Sequence, residues 1–455
     1  MKKEFKVIRC HSEGLLPRRI SIVDFTKVIG EIKRNKRLFA IAQSDKKRFE
    51  YYFKRRILMA SRFDKKIDRW ESGARKWAMT KDPTSPFYTE VPKEDVIPMW
   101  VADMDFETAP SVIEALRERI EHPILGYSVL SERYVNAIAS WQKDHYGTEG
   151  IKEEHILYQN SVLGGVCSAI SVYTQPGEYI LTSQATYVGF QGSIQNLGRK
   201  IAFSPLVKDE NGILRMDFED MERQIVEKAI PMMIFCSPHN PTGRVWEKWE
   251  IEKVVEICDK HNVFLFSDEI WADFIIEPGL KHTPTQSVSE RAKQICIASY
   301  APSKTFNLAG LIGSYTICYN PVINERINKQ GESTHYNNAN VLSLAACMGA
   351  YEGGAEYVAE LREYIRKNQE YMVNFFNTRK GIDAYMPQGT YLLWVDVAGC
   401  GMDMDTVLRK MSAVGVIVND GRPFQGPTHL RINVACPFDS VVEACKRLET
   451  VFEAK

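Results

Sequence analysis

Seven short apolar runs fall in the middle of this chain, at 156–158, 179–182, 200–204, 232–236, 263–266, 295–299 and 312–318. Their apolar character is nearly continuous rather than alternating, which is how strands buried on both faces read. Amphipathic segments of helical period separate several of them. The clearest is 247–261, which places Ile251, Val254, Val255 and Cys258 on one face. Two more helices are predicted earlier. One spans 108–122, with Pro110 in its first turn and Val112, Leu116, Arg119 and Ile120 on a face; the other spans 131–146. Buried strands with interleaved helices predict an α/β fold with an open, mostly parallel seven-stranded sheet between helices. From about residue 333 the pattern changes. Long helical stretches at 340–351 and 357–379 precede strand-like runs at 391–397 and 429–434, which predicts a smaller α+β region.

Ligands of open α/β sheets bind beyond the carboxyl ends of the strands, so the residues after each strand carry the functional information. After the first run come Asn160, Ser161, Val162, Leu163 and two glycines, opening a helix. Free amides at such a start attract anions, although many such starts are only caps. Tyr187 follows the second run and is either packing or a flat face for a ring. Ser237-Pro238-His239-Asn240-Pro241-Thr242-Gly243 follows the fourth, a rigid turn with an amide at its apex. Asp268 follows four apolar residues, where a carboxylate either caps a helix or meets a buried partner. Lys304 follows the sixth run beside Ser303. A lysine is ordinarily surface; one that is desolvated becomes a nucleophile and base. Each signal has a plain structural reading by itself. Together they supply an anion cradle, a ring stacker, a donor, a carboxylate and an amine, which is the set a pyridinium electron sink requires.

Charge and cysteine usage bound the remainder. Residues 1–60 carry 17 Lys and Arg against 6 Asp and Glu, a net charge of +11, while the rest carries 41 against 52, a net of −11. This basic head lacks the apolar core and small-residue cleavage site of a secretory signal. The chain has no run of about 18 apolar residues that would cross a bilayer. Ten cysteines at irregular intervals, none in a C-x-x-C pair, read as buried free thiols of a reducing cytoplasm. Nine histidines without a helical i, i+4 pair give no metal site.

The motifs MWVADMDFETAP (99–110), Gly126-Tyr127-Ser128, CSPHNPTG (236–243), SDEI (267–270), APSKTFNLAG (301–310) and LRINVACP (430–437) resemble the class I/II aminotransferase family of fold type I pyridoxal phosphate (PLP) enzymes. Within it they resemble the MalY/PatB branch of C–S β-lyases (cystathionine β-lyases). The likeness runs from about Phe63 to the C-terminus. It implies a large PLP-binding domain at 109–350, a small α+β domain from 63–108 and 351–455, and an extension at 1–62. It also implies roles. Lys304 would be the Schiff-base lysine, and Asp268 would keep the pyridine nitrogen protonated. Asn240, cis to Pro241, would bind the ring hydroxyl, and Tyr187 would stack on the ring. Ser161, the amides of Val162 and Leu163, and Ser303 would form the phosphate site. Arg431 would clamp the substrate α-carboxylate bidentately, with Ala102 also at the substrate. Tyr127 would serve a neighbouring subunit's site, which implies a homodimer. Three positions depart from common relatives. Trp271 stands where a Tyr or His is frequent, Ala301 where a phosphate-binding Ser is, and Ile312 where an Arg is. The phosphate grip then rests on backbone amides, Ser303 and Tyr127.

The implied reaction is β-elimination from L-cystathionine or a related cysteine S-conjugate, giving a thiol, pyruvate and ammonia. An aminotransferase uses the same residues and needs a keto-acid acceptor. A third possibility, from another class, is a PLP-sensing transcription regulator with the basic head as its DNA-binding part. Against it, sixty residues barely hold a winged helix and no linker follows them.

Overall fold

Each of the seven apolar runs forms a strand of one sheet in the computed structural model, which describes residues 61–455. Residues 1–60, most of the basic head, lie outside the described residues. A two-residue strand β1 (Ile97–Pro98) comes first. The large sheet then contains β2 (Ile156–Gln159), β3 (Tyr179–Gln184), β4 (Lys200–Lys208), β5 (Leu214–Met216), β6 (Met232–Cys236), β7 (Phe264–Asp268), β8 (Cys296–Tyr300) and β9 (Ser314–Ile317). Their order is β2-β9-β8-β7-β6-β3-β4-β5. The stretch from β8 to β4 is parallel; β9 is antiparallel to both of its neighbours, and β5 to β4.

The sheet thus has eight strands where the sequence pattern gives seven. The addition, β5, is three residues that fold back from β4, with Asp209 accepting from the amides of Asn211 and Ile213 in the turn. Only Met216 of the three is buried, so no apolar run marks it.

Alternation within the strands builds a core on each face. Met232, Ile234 and Cys236 join Val166, Ile170 and Phe266 on one side. Met233 and Phe235 join Ile251, Val254 and Leu265 on the other. The helix Lys248–Lys260 buries the predicted face of Ile251, Val254, Val255 and Cys258. The helix Pro110–Glu121 departs from expectation. It buries Val112, but Ile120 is 58% exposed, at the far end from the contact of Ser111 and Ala115 with Gly349.

A second sheet is antiparallel throughout. It contains β10 (Asp383–Ala384), β11 (Leu392–Asp396), β13 (Asn419–Asp420) and β14 (His429–Asn433), in the order β10-β11-β14-β13, and β12 (Val416–Ile417) pairs with β1 instead. The helices Ala355–Asn377 and Phe438–Leu448 cover it, with Met372, Phe376, Val441 and Leu448 in its core. Among the described residues the cysteines are free thiols, most of them buried, and no helix is long and apolar enough to cross a membrane.

Candidate active site

Register places the chemistry. At the carboxyl ends of the central strands, Asp268 of β7 stands opposite Cys236 of β6 and Ser299 of β8. The turn bearing Asn240 leaves β6, and the turn bearing Lys304 leaves β8.

Asp268 is buried, and Oδ1 accepts from the Ile270 amide at 3.0 Å. Burial pushes its carboxyl up to about 7, against the pull of that amide and of the Lys304 charge. The Lys304 ammonium donates to the Ala102 carbonyl at 3.0 Å and lies 5.8 Å from the Trp271 ring centroid. Burial, with the Arg431 cation second, lowers it to about 8. A substantial neutral fraction of the amine therefore exists near neutral pH.

Arg431 sits in mid-strand in β14, opposite Trp394 of β11 and Asn419 of β13, and is 4% exposed. Nη1 donates to Asn240 Oδ1 and Nη2 to the Trp100 carbonyl, both at 3.2 Å. Its guanidinium lies 4.3 Å from the Phe424 ring centroid. Nε has no partner, and among the described residues no acid pairs with this side chain. Burial alone lowers it to about 10. A buried cation without an anion is costly, and a carboxylate ligand offsets that cost.

The remaining predicted residues gather around these. Ser161 caps the helix Val162–Tyr173, accepting from Gly164 N at 3.0 Å. The amides of Val162 and Leu163, in the first turn, have no intrahelical acceptor. Tyr187 packs over Gly189, where a Cβ would come within 2.4 Å of its ring. Asn240-Pro241 is cis, as the resemblance implied. Ala102, Ser161, Val162, Leu163, Tyr187, Asn240, Asp268, Ser303, Lys304 and Arg431 line one cavity of about 850 Å³. Trp271, Ala301 and Ile312, the three departing positions, line it as well. Tyr127 does not: it is fully exposed, in a segment where Ile124, Leu125 and Val129 are exposed too.

Four contributors escape the strand-end reading. The Tyr391 hydroxyl donates to the same Ala102 carbonyl as Lys304, at 3.0 Å, and its ring meets Trp271 edge-on at 4.7 Å. Trp100 holds Arg431 through its carbonyl, and Phe424 supports the guanidinium. The fourth is a buried ion cluster that fixes the segment carrying Ala102. Fully buried Lys76 pairs with Asp105 at 2.7 Å, and Arg69 pairs with Asp103 at 3.0 Å and Asp105 at 2.7 Å. A lysine in a polar stretch far from every strand end carries no sequence mark of such burial.

A helix-covered, mostly parallel sheet with an amine and a carboxyl at adjacent strand ends is the architecture of fold type I PLP enzymes. The chain belongs to the aminotransferase class I and II family, whose model matches residues 94–448. Cystathionine beta-lyase PatB of Bacillus subtilis is 30% identical over 391 residues, covering 85% of this chain and 98% of the relative. Protein MalY of Escherichia coli is 29% identical, covering 82% and 94%. Among solved structures, cystalysin from Treponema denticola, which contains a pyridoxal 5'-phosphate cofactor, is 33% identical. It aligns with a TM-score of 0.80 over 86% of this chain and 98% of that one.

Proposed function

We propose that this protein is a PLP-dependent carbon–sulfur β-lyase, cleaving L-cystathionine or a related cysteine S-conjugate to a thiol, pyruvate and ammonia. The observation that carries the lyase reading is the likeness over most of the chain to cystathionine beta-lyase PatB, and the buried Arg431, with no acidic partner among the described residues, on the wall that also holds the Lys304 amine and the Asp268 carboxyl supplies an amino-acid site for it. The residues fit PLP. Asp268 offers a buried carboxyl that forms no ion pair with another side chain among the described residues, and the first-turn amides of Val162 and Leu163 face an anion site with Ser303 beside them. Because Asn240 Oδ1 is engaged by Arg431, its NH₂ is the group left to donate to a ring oxygen. Tyr187 supplies the stacking face.

When bound, PLP supplies an electron sink for the pair left at the substrate Cα. Arg431 orients the substrate by its α-carboxylate, using the free Nε and an Nη in a planar fork. Neutral Lys304 Nζ takes the Cα proton. Asp268 holds a proton on the ring nitrogen. The Cβ–S bond then breaks, and sulfur leaves with the bonding pair and is protonated as a thiol. Water converts the remaining three carbons and nitrogen to pyruvate and ammonium, so the net reaction consumes one water and no oxidant.

The test mixes protein, PLP and L-cystathionine without a keto acid and follows pyruvate. Stoichiometric pyruvate and thiol are expected. An absolute requirement for a keto acid, with conversion of the cofactor to its amine form, would make the protein an aminotransferase.

The large domain at 109–350, the small domain from 63–108 and 351–455, and a homodimer with Tyr127 at the neighbouring site belong to the same reading. The apolar run at Ile124, Leu125, Tyr127 and Val129, 59–101% exposed, supports a subunit contact there. Sedimentation is expected to give twice the 52.1 kDa chain mass at micromolar concentration; a monomer of undiminished turnover would remove the shared-site assignment.

A further inference from the structure

The cavity wall carries four cations: Arg75, Lys304, Arg422 and Arg431. Lys304 and Arg431 belong to the reacting end. Arg422 is already neutralised, with Nε 2.7 Å from Asp420 and Nη2 2.5 Å from Asp405. Arg75 has no acid, carbonyl or ring partner among the described residues.

An exposed arginine is ordinarily just solvated, but the backbone of this one is fixed at the cavity. The next residue, Lys76, is fully buried on Asp105, and Trp77 Nε1 donates to the same carboxylate at 3.2 Å. The Lys76 carbonyl accepts from Trp100 Nε1 at 2.9 Å, and the Trp100 carbonyl accepts from Arg431. One tryptophan therefore ties the backbone beside Arg75 to the Arg431 clamp. Phe87 stacks on Trp100 at 3.8 Å, and both rings line the cavity that Arg75 and Arg431 share, an apolar wall suited to a methylene chain. Arg75, Tyr187 and Arg431 line the same cavity, and both arginine charges oppose the burial that raises the Tyr187 phenol.

We propose that Arg75 forms a second anion subsite, which selects cysteine thioethers whose leaving arm ends in a carboxylate. This rests on the β-lyase reading, with Arg431 taking the α-carboxylate. The subsite reads the carboxylate and not a distal amine. Of the two acids lining the cavity, Asp268 serves the inner end, and Asp420 is occupied by the Arg422 amide and guanidinium. No free acid remains at the outer end for an ammonium among the described residues.

The test compares PLP-loaded wild type, Arg75→Gln and Arg75→Lys on three compounds: L-cystathionine, S-(3-carboxypropyl)-L-cysteine, which lacks only the distal amine, and S-butyl-L-cysteine, whose arm is neutral. In Arg75→Gln, kcat/KM for both carboxylate-armed compounds is expected to fall about tenfold, while S-butyl-L-cysteine stays within about twofold. Arg75→Lys is expected to recover most of the loss. Calorimetric titration with the inert ligands suberate and octanoate gives a second readout, in which Arg75→Gln weakens suberate about tenfold and leaves octanoate unchanged. Equal effects on all three thioethers, or unchanged suberate affinity, would overturn the subsite. Wild type that yields no pyruvate from any thioether would overturn the lyase reading, and the suberate titration would then decide Arg75 separately.

Discussion

Replacing Lys304 with alanine is expected to lower pyruvate formation from cysteine thioethers by at least about 10³-fold. The reason is the double duty of one nitrogen. Nζ is the amine that would attach the cofactor and the base that would take the Cα proton, and no second lysine lines the cavity. Its present partners, the Ala102 carbonyl and the face of Trp271, are not bases that could replace it. Tyr391 shares the Ala102 carbonyl, and burial holds its phenol well above the ordinary range, so its hydroxyl is a poor proton acceptor. The fold should survive, since removing an ammonium that burial lowers to about 8 also removes a desolvation cost. Borohydride treatment gives a readout independent of turnover. Wild type is expected to retain PLP covalently on the peptide containing Lys304 after denaturation, and the variant is expected to release it. Alanine variant turnover above a hundredth of wild type would assign the base elsewhere. In wild type, turnover is expected to rise as pH approaches about 8, because only the neutral amine accepts the proton.

The site residues legible in the sequence are those that topology announces. Asp268 ends a buried strand of one sheet and Lys304, Asn240, Tyr187 and Ser161 each stand shortly past one, and the crevice at the strand ends collects them from chain order alone. Strands β6, β7 and β8 are legible because every residue in them is buried and nearly all are apolar, the polar Ser267, Asp268 and Ser299 falling only near their carboxyl ends. Strand β5 is not, since a short edge strand gains its place by pairing with β4 and not by burial. Arg431 is legible only through resemblance: an arginine within a strand looks like a surface ion pair, and its burial without an acidic partner among the described residues is a property of three dimensions. Trp100 lies hundreds of residues from Tyr391 and Phe424, and the three meet at Ala102 and Arg431 only after both sheets form. Lys76 is the extreme case, because what buries it is a pair of aspartates about thirty residues away.

Asp268→Asn is expected to act in opposite directions on the cofactor-free and the loaded protein. Without cofactor, burial raises the Asp268 carboxyl from 3.8 to about 7, so the folded state holds this proton more tightly than the unfolded chain. The stability it contributes is fully present below about 4 and is lost as pH rises through about 7. Above that range the buried charge costs on the order of 4 kcal/mol, the pull of the Lys304 cation and the Ile270 amide already included. Asparagine carries no charge there, so the cofactor-free variant should melt higher than wild type at pH 8, with the difference closing toward pH 4. Once PLP is bound, a protonated ring nitrogen gives the carboxylate its missing cation, and the same burial strengthens their attraction. The amide cannot hold that proton. Turnover of the loaded variant is therefore expected to fall by about 10²–10³-fold, while Arg431 still binds the α-carboxylate and KM changes little. Melting curves of the cofactor-free proteins from pH 4 to 8, with kcat and KM of the loaded ones, check both halves. A variant that melts no higher than wild type at pH 8 would mean that water or Lys304 already solvates the carboxylate, and an unchanged kcat would take the ring-nitrogen role away from Asp268.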